Sequence, residues 1–160
     1  MASYTDEQMN RIVQMPAAVL MGAILADASG AVVGIREFMA GEKFISDAGQ
    51  MYSGNVLIQD MLRNLDLPKL EDTVKPILAL GDLKTVKAEC QQRIDNGAAA
   101  LANDAEANQF KAFLVAMADK VVNAAGEGFF GNRGERVSTN EAAYMNQLKQ
   151  HLGITSTSAM

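Results

Sequence analysis

Fifteen consecutive residues without a charge, Ile12 to Ala26 (IVQMPAAVLMGAILA), constrain the fold of this chain more than any other feature. A membrane-spanning helix needs about 20 apolar residues, so this segment is too short to cross a bilayer. Asp6 and Glu7 stand where a secretory signal would carry basic residues, although Ala26-Asp27-Ala28 has the form of a cleavage site. We therefore predict a buried helix and a cytoplasmic protein, with secretion as the alternative.

The remaining composition favours helices over strands. The chain has 160 residues, is 49% hydrophobic and only 6% aromatic, and no stretch alternates apolar and polar residues over a strand's length. A chain of this size is long enough to bury one core. We predict an all-α fold: a single compact helical domain of seven to eight helices over residues 1–154, followed by a disordered tail at 155–160.

Local signals predict where several of these helices begin and end. Thr5-Asp6-Glu7-Gln8 fits a capping box, as does the stretch from Ser138 to Glu141. Pro16 either kinks the first helix or opens a second one in its first turn. Asp82 is a candidate N-cap. Breaks are predicted at Gly49, at Gly54 and near Pro68, and Gly153 is predicted to close the last helix.

Charge and the rarest residues exclude several classes of function. The net charge of −5 argues against a nucleic-acid-binding surface, which needs a basic stripe. Cys90 is the single cysteine, so neither an internal disulfide nor a cysteine-based zinc site can form. It lies on an apolar stripe, which is typical of a buried, inert thiol. We interpret the single histidine, His151, as a satisfied surface or partly buried residue and not as a catalytic base or metal ligand. We predict that the protein is not an enzyme.

The stretch Gly126–Gly131, GEGFFG, matches the dinucleotide-binding pattern G-x-G-x-x-G letter for letter. A true fingerprint follows a buried strand, whereas a helix is predicted here. The phosphate-loop pattern fails as well, because Asn132-Arg133 replaces Lys-Ser/Thr. We therefore expect no nucleotide. Phe129 and Phe130 either pin this loop to the core or form a partner-binding tip.

An internal similarity suggests a divalent metal site. VLMGAILADASG, Val19 to Gly30, aligns with VAMADKVVNAAG, Val115 to Gly126, so two helices are predicted to end alike, each in a loop that contains glycine. Hard cations such as Ca²⁺ or Mg²⁺ take several oxygen ligands. The candidate ligands are Asp27, Glu127 and Glu141, with Ser29, Glu37 and Asn123 as secondary candidates. The alternative is that these polar groups only cap helix ends.

An Ala-rich helix, a loop containing Gly and then a Glu-bearing helix, present near both ends of the chain, resemble the TerB-like tellurite-resistance family. Leu114 to Ile154 carries most of the resemblance, and Met21 to Gly41 carries a second part. The resemblance implies a fold of duplicated helix pairs, a role in chemical stress and divalent-metal binding by acidic loop residues. Here Gly30 follows Ser29 and Gly126 follows Ala125, where that family typically has Asp.

Two functions follow from these observations. The first is a stress-associated helical protein that binds a divalent cation and acts through other proteins of a resistance system. The second is a metal-independent scaffold or interaction domain, which can form homo-oligomers and whose loop with Phe129 and Phe130 contacts another chain.

Overall fold

The computed structural model describes residues 3–26, 31–127 and 139–154, with side chains for 3–26, 37–77, 79–124 and 139–154. Throughout these residues the regular structure is helical and no strand occurs, which confirms the all-α prediction. The described α-helices are α1 (Asp6–Val13), α2 (Met15–Leu25), α3 (Ala31–Met51), α4 (Val56–Asn64), α5 (Leu70–Leu78), α6 (Leu83–Ala100), α7 (Ala105–Glu127) and α8 (Thr139–His151). A short 3-10 helix, Leu67–Lys69, precedes α5.

Most helix ends follow the local signals in the sequence. The Thr5 backbone N–H donates to Gln8 Oε1 over 2.9 Å, and the Gln8 N–H donates to Thr5 Oγ1 over 3.1 Å, which completes the predicted capping box. Pro16 stands in the first turn of α2, so it opens a second helix. Asp82 Oδ1 accepts from the Thr85 N–H over 2.8 Å at the start of α6. These three predictions are confirmed.

The end of α8 also follows its sequence. Gly153 has a φ of +75°, a conformation that L side chains rarely adopt. The Gly153 N–H donates to the Gln150 carbonyl over 3.0 Å, and the Ile154 N–H donates to the Lys149 carbonyl over 2.8 Å. This pair of bonds is the Schellman motif, and it satisfies two carbonyls of the last helical turn.

The predicted break at Gly49 is wrong, because α3 continues through it to Met51. The break predicted at Gly54 is confirmed, because the chain turns over residues 52–54. Asn55 then caps α4 by accepting from the Ile58 N–H over 2.9 Å. The Asn55 amide also donates to the Glu106 carbonyl over 3.1 Å. Long-range contacts of this kind connect α4 to α7. They determine where α3 ends and α4 begins, whereas Gly49 alone does not.

Helix α2 is the centre of the fold. Every residue from Met15 to Ala23 is buried, and six other described helices, α1, α3, α5, α6, α7 and α8, pack against α2. A helix that is apolar on all sides needs cover on all sides, and this arrangement provides it. The prediction of a buried helix is confirmed. None of the described helices is both long and apolar enough to span a membrane.

An aromatic contact and a close backbone approach show the relative direction of α3 and α7, the pair of described helices with the most extensive contact. The rings of Phe44 and Phe113 stack with centroids 5.9 Å apart, and Tyr52 meets the same Phe113 ring edge-on at 5.6 Å. One turn before Phe44, Gly41 lies beside Val121. Residue numbers therefore rise along α3 as they fall along α7, so the two helices are antiparallel.

Candidate functional site

The beginning of α3 lies near the end of α7. A Cβ built on Gly41 would stand 3.1 Å from Val121 Cγ2 and 2.4 Å from Leu20 Cδ1, so this part of α3 touches both α7 and α2. Glu37 is one turn closer to the start of α3, and because α3 and α7 are antiparallel it faces the last turns of α7.

The beginning of α8 lies at the end of α2. The Tyr144 hydroxyl donates to the Val19 carbonyl over 3.2 Å, so α8 crosses α2 there. Ala26 and Asn140 line the same cleft, which brings the first turn of α8 to the last turn of α2. Glu141 follows Asn140 directly and therefore belongs to this region. Glu37 and Glu141 thus come from different helices and lie near the two helix ends that the sequence linked.

Both glutamates are buried, with exposed fractions of 1% for Glu37 and 2% for Glu141. They are the only buried carboxylates among the described side chains. Burying a carboxylate costs several kcal/mol, on the order of the whole stability of a domain, unless it gains partners. Each has a hydrogen-bonding or electrostatic partner. Two residues that the sequence selected as candidate ligands are therefore desolvated carboxylates.

The other candidates divide into two groups. Asp27, Ser29, Phe129 and Phe130 lie outside the described residues, as does the side chain of Glu127, which is the last residue of α7. Asn123 is not at a helix end: it lies within α7, and its amide donates to the Asp119 carbonyl over 2.7 Å. Among the described side chains, no three Asp, Glu, His or Cys residues form a group that could hold a metal.

The internal similarity does not hold at the helix ends. Helix α7 continues through Gly126 to Glu127, whereas α2 ends at Leu25, five residues before the aligned Gly30. The alignment predicted that both helices end alike, each in a loop that contains glycine. Each of the two helices packs against the helix that follows it, α2 against α3 and α7 against α8, and α2 also packs on α7.

A second feature, which the sequence did not indicate, is a cleft of about 750 Å³ between α6 and α8, with the buried residues Gly22 of α2 and Cys90 and Ile94 of α6 as its floor. His151 Nδ1 lies 2.9 Å from Asp95 Oδ1, and this pair links the two helices at one end. At the other end the lining includes Lys87 and Asn140. The remaining lining residues are Gly22, Ala26, Ala88, Cys90, Gln91, Ile94, Ala143, Tyr144, Gln147 and Gln150.

The ionisable groups deep in this cleft have low reactivity at neutral pH. Cys90 is 2% exposed, and burial raises the pKa of its thiol to about 11. Desolvation likewise raises the pKa of Tyr144 well above its usual value, and the charge of a Cys90 thiolate adds to that shift. A thiol with a high pKa is a poor nucleophile at neutral pH because little thiolate is present. The prediction of a buried thiol is confirmed.

No protein-family model matches the sequence, and neither characterised proteins nor solved structures include a significant match.

Proposed function

We propose that this protein is a non-catalytic, TerB-like helical protein that binds a divalent cation of the Ca²⁺ or Mg²⁺ type where α2 and α7 end. The observation that carries the proposal is the burial of Glu37 and Glu141 on two different helices in this region. Hard cations prefer carboxylate, carbonyl and water oxygens, and a bound cation stabilises carboxylates that have lost their hydration.

Further oxygen donors are close in sequence. Asp27 directly follows Ala26, the C-cap of α2, and Glu127 is the last residue of α7. With Glu37 and Glu141 they give four carboxylates from both helix pairs. A cation held between the pairs α2–α3 and α7–α8 would link them, so its binding would change the surface offered to partner proteins. We place this response in the cytoplasm, in a chemical-stress or tellurite-resistance system.

One observation favours a second candidate function, a metal-independent scaffold or interaction domain. Glu37 and Glu141 each have a partner already, so their burial can serve the fold alone. Glu141 is also the third residue of α8, the position where a capping box places its glutamate. In this function the carboxylates hold the helix ends together and partner binding depends on other surfaces.

Thermal unfolding of chelator-treated protein with added Ca²⁺, Mg²⁺ or Mn²⁺ separates the two functions. A cation that binds only the folded state stabilises it by about 2.7 kcal/mol at a concentration of 100 Kd. For a chain of this size that corresponds to a Tm rise of roughly 5–10 °C. We expect this rise in the wild type and in Glu42→Gln, a control on α3 at a carboxylate that is not fully buried.

The isosteric variants Glu37→Gln and Glu141→Gln keep the side-chain shape and remove the charge. We expect both to lose most of the cation-dependent rise. An unchanged Tm in the wild type up to millimolar cation would contradict the proposal, and so would an equal rise in all four proteins. Either result would leave the scaffold function.

A further inference from the structure

We propose that the cleft between α6 and α8 binds a small organic carboxylate, with Lys87 pairing with the carboxylate group and the apolar part of the ligand lying on the floor. This site shares no side chain with the proposed cation site, so either can fail without the other.

The cleft has the dimensions of a ligand site. Its volume of about 750 Å³ lies within the range of roughly 300–1,000 Å³ found for small-molecule pockets. The pair of His151 and Asp95 joins α8 to α6 at one end. Lys87 is eight residues before Asp95 on the same helix, which places it about 12 Å away along the axis at 1.5 Å per residue. The His151–Asp95 pair therefore joins the two helices at one end of the cleft, and the ammonium group of Lys87 lies towards the other end.

The charges of the lining favour an anion. The chain carries 19 acidic and 14 basic residues, yet none of the cleft-lining residues is an aspartate or glutamate. Lys87 forms no ion pair with any described carboxylate, whereas His151 pairs with Asp95 at the edge. The titratable groups that line the cleft are therefore Lys87, Cys90, Tyr144 and His151. A divalent cation would find no carboxylate ligand there.

Polar and apolar groups are arranged for an amphipathic molecule. The amides of Asn140, Gln147 and Gln150 are on exposed residues of α8 and make no hydrogen bond within the described part of the chain, so they can bind carboxylate or carbonyl oxygens. Beneath them Cys90 and Ile94 are 2% and 1% exposed and form an apolar surface. A carboxylate with a short hydrocarbon chain satisfies both parts.

Titration of the whole protein, labelled with ¹⁵N, with hexanoate, hexylamine and hexanol tests this site by NMR. We expect saturable shifts for hexanoate that centre on α6 and α8. The affinity should fall at least tenfold in Lys87→Met and stay within twofold in Lys84→Met, a control on an exposed lysine of α6 outside the cleft. Hexylamine should bind at least tenfold more weakly than hexanoate.

Cys90, as the only thiol, provides a second readout, because a ligand on the floor should slow its alkylation. Saturation by hexanoate together with slower alkylation in the wild type supports the proposal. Equal affinity for hexylamine and hexanoate would overturn it, as would unchanged affinity in Lys87→Met. The absence of saturable shifts at millimolar hexanoate would overturn it too.

Discussion

The two ends of α6 differ in how they meet the rest of the fold. Near its C-terminus, a Cβ built on Gly97 would stand 2.3 Å from Met15 Cγ and Sδ and 3.0 Å from the Arg11 carbonyl oxygen, so the helices are in direct contact. Between Lys87 and Ile94 the same helix borders the cleft under α8. The C-terminal part of α6 is packed so tightly that an added methyl group would clash, whereas the part from Lys87 to Ile94 borders a space large enough for a small molecule.

The contacts of α2 with α6 and α8 explain how this fold leaves space for a site. Helix α8 is positioned by α2, because the Tyr144 ring lies over Gly22 and its hydroxyl bonds to Val19. Its link to α6 is the single pair of His151 and Asp95 among the described polar contacts. Both α6 and α8 pack against α2, so their positions do not depend on side chains that fill the gap between them.

The largest expected effect concerns Cys90 at the floor of the open end. Its pKa of about 11, against an ordinary value of 9.0, lowers the thiolate fraction at pH 8 about 100-fold. We expect alkylation of the folded protein to be at least that much slower than in denaturant, and to speed up as the pH rises towards 11. Equal rates at pH 8 would show that the cleft extends through its floor.

The same pKa shift makes the stability of the folded protein depend on pH. The unfolded thiol ionises from about pH 9, while the folded thiol stays protonated until about pH 11. Its contribution to stability is therefore fully present below pH 9 and is lost as the pH rises through that window. Urea unfolding of the wild type and Cys90→Ala between pH 8 and pH 10.5 should show a smaller alkaline loss in the variant.

Adding a methyl group to the closed end should cost more than adding several carbons to the open end. Gly97→Ala overpacks Met15 and presses on the Arg11 backbone, and we expect a net loss of about 1–2 kcal/mol despite better helix propensity. Ala143→Leu projects into the cleft and should change stability by less than about 0.5 kcal/mol. Urea denaturation measures both.

A matched glycine provides the control. At Gly49 in α3 a new Cβ would lie 3.7 Å from Leu62 Cδ1, an ordinary contact. Gly49→Ala should therefore stabilise the protein by about 0.5–1 kcal/mol through helix propensity. A loss of stability there, or a gain at Gly97, would contradict the packing described for these helices.

The contact that positions α8 should show coupling. Gly22→Ala brings a methyl group within 2.5 Å of the Tyr144 hydroxyl, and we expect it to cost about 1–2 kcal/mol. Tyr144→Phe removes the bond to the Val19 carbonyl and should cost about 1 kcal/mol. Because Phe lacks the closest clashing atom, the double variant should lose less than the sum. Strict additivity in a double-mutant cycle would contradict this contact.

The smallest effect is expected for the pair that joins the end of the cleft. His151 and Asp95 have side chains that are 40% and 47% exposed, so solvent screens their attraction. His151→Ala should cost no more than about 0.5 kcal/mol, and less at high salt. A loss above about 1 kcal/mol would show that α6 and α8 depend on this link.

Local features of this fold could be predicted from the sequence, and long-range ones could not. Thr5, Asp82 and Gly153 act within one helical turn, so their roles follow from neighbouring residues. The prediction of a helix break at Gly49 was wrong, because packing on other helices extends α3 beyond this residue. The close approaches at Gly22 and Gly97 join residues about 80 or more positions apart, which no local pattern shows.

The candidate sites show the same difference between local features, which the sequence predicts, and long-range features, which it does not. The sequence selected Glu141 and Glu37 because they lie on helices that follow the two aligned segments, but their burial emerges only when four helices meet. Asn123 was expected at a helix end because it aligns with Asp27, whereas α7 continues past it to Glu127. The cleft arises from the spacing between two helices, and that spacing depends on Tyr144 resting on α2.

The apolar α2 also has a consequence for how the chain is made. It ends at Leu25, and α7, which covers one side of it, ends at Glu127, about 100 residues later. At a synthesis rate of about 5–20 residues per second, roughly 5–20 s pass between the two. During that time the most hydrophobic helix leaves the ribosome before its final neighbours exist. A chaperone that binds apolar segments of nascent chains should therefore engage this protein at α2 and release it once α7 is complete.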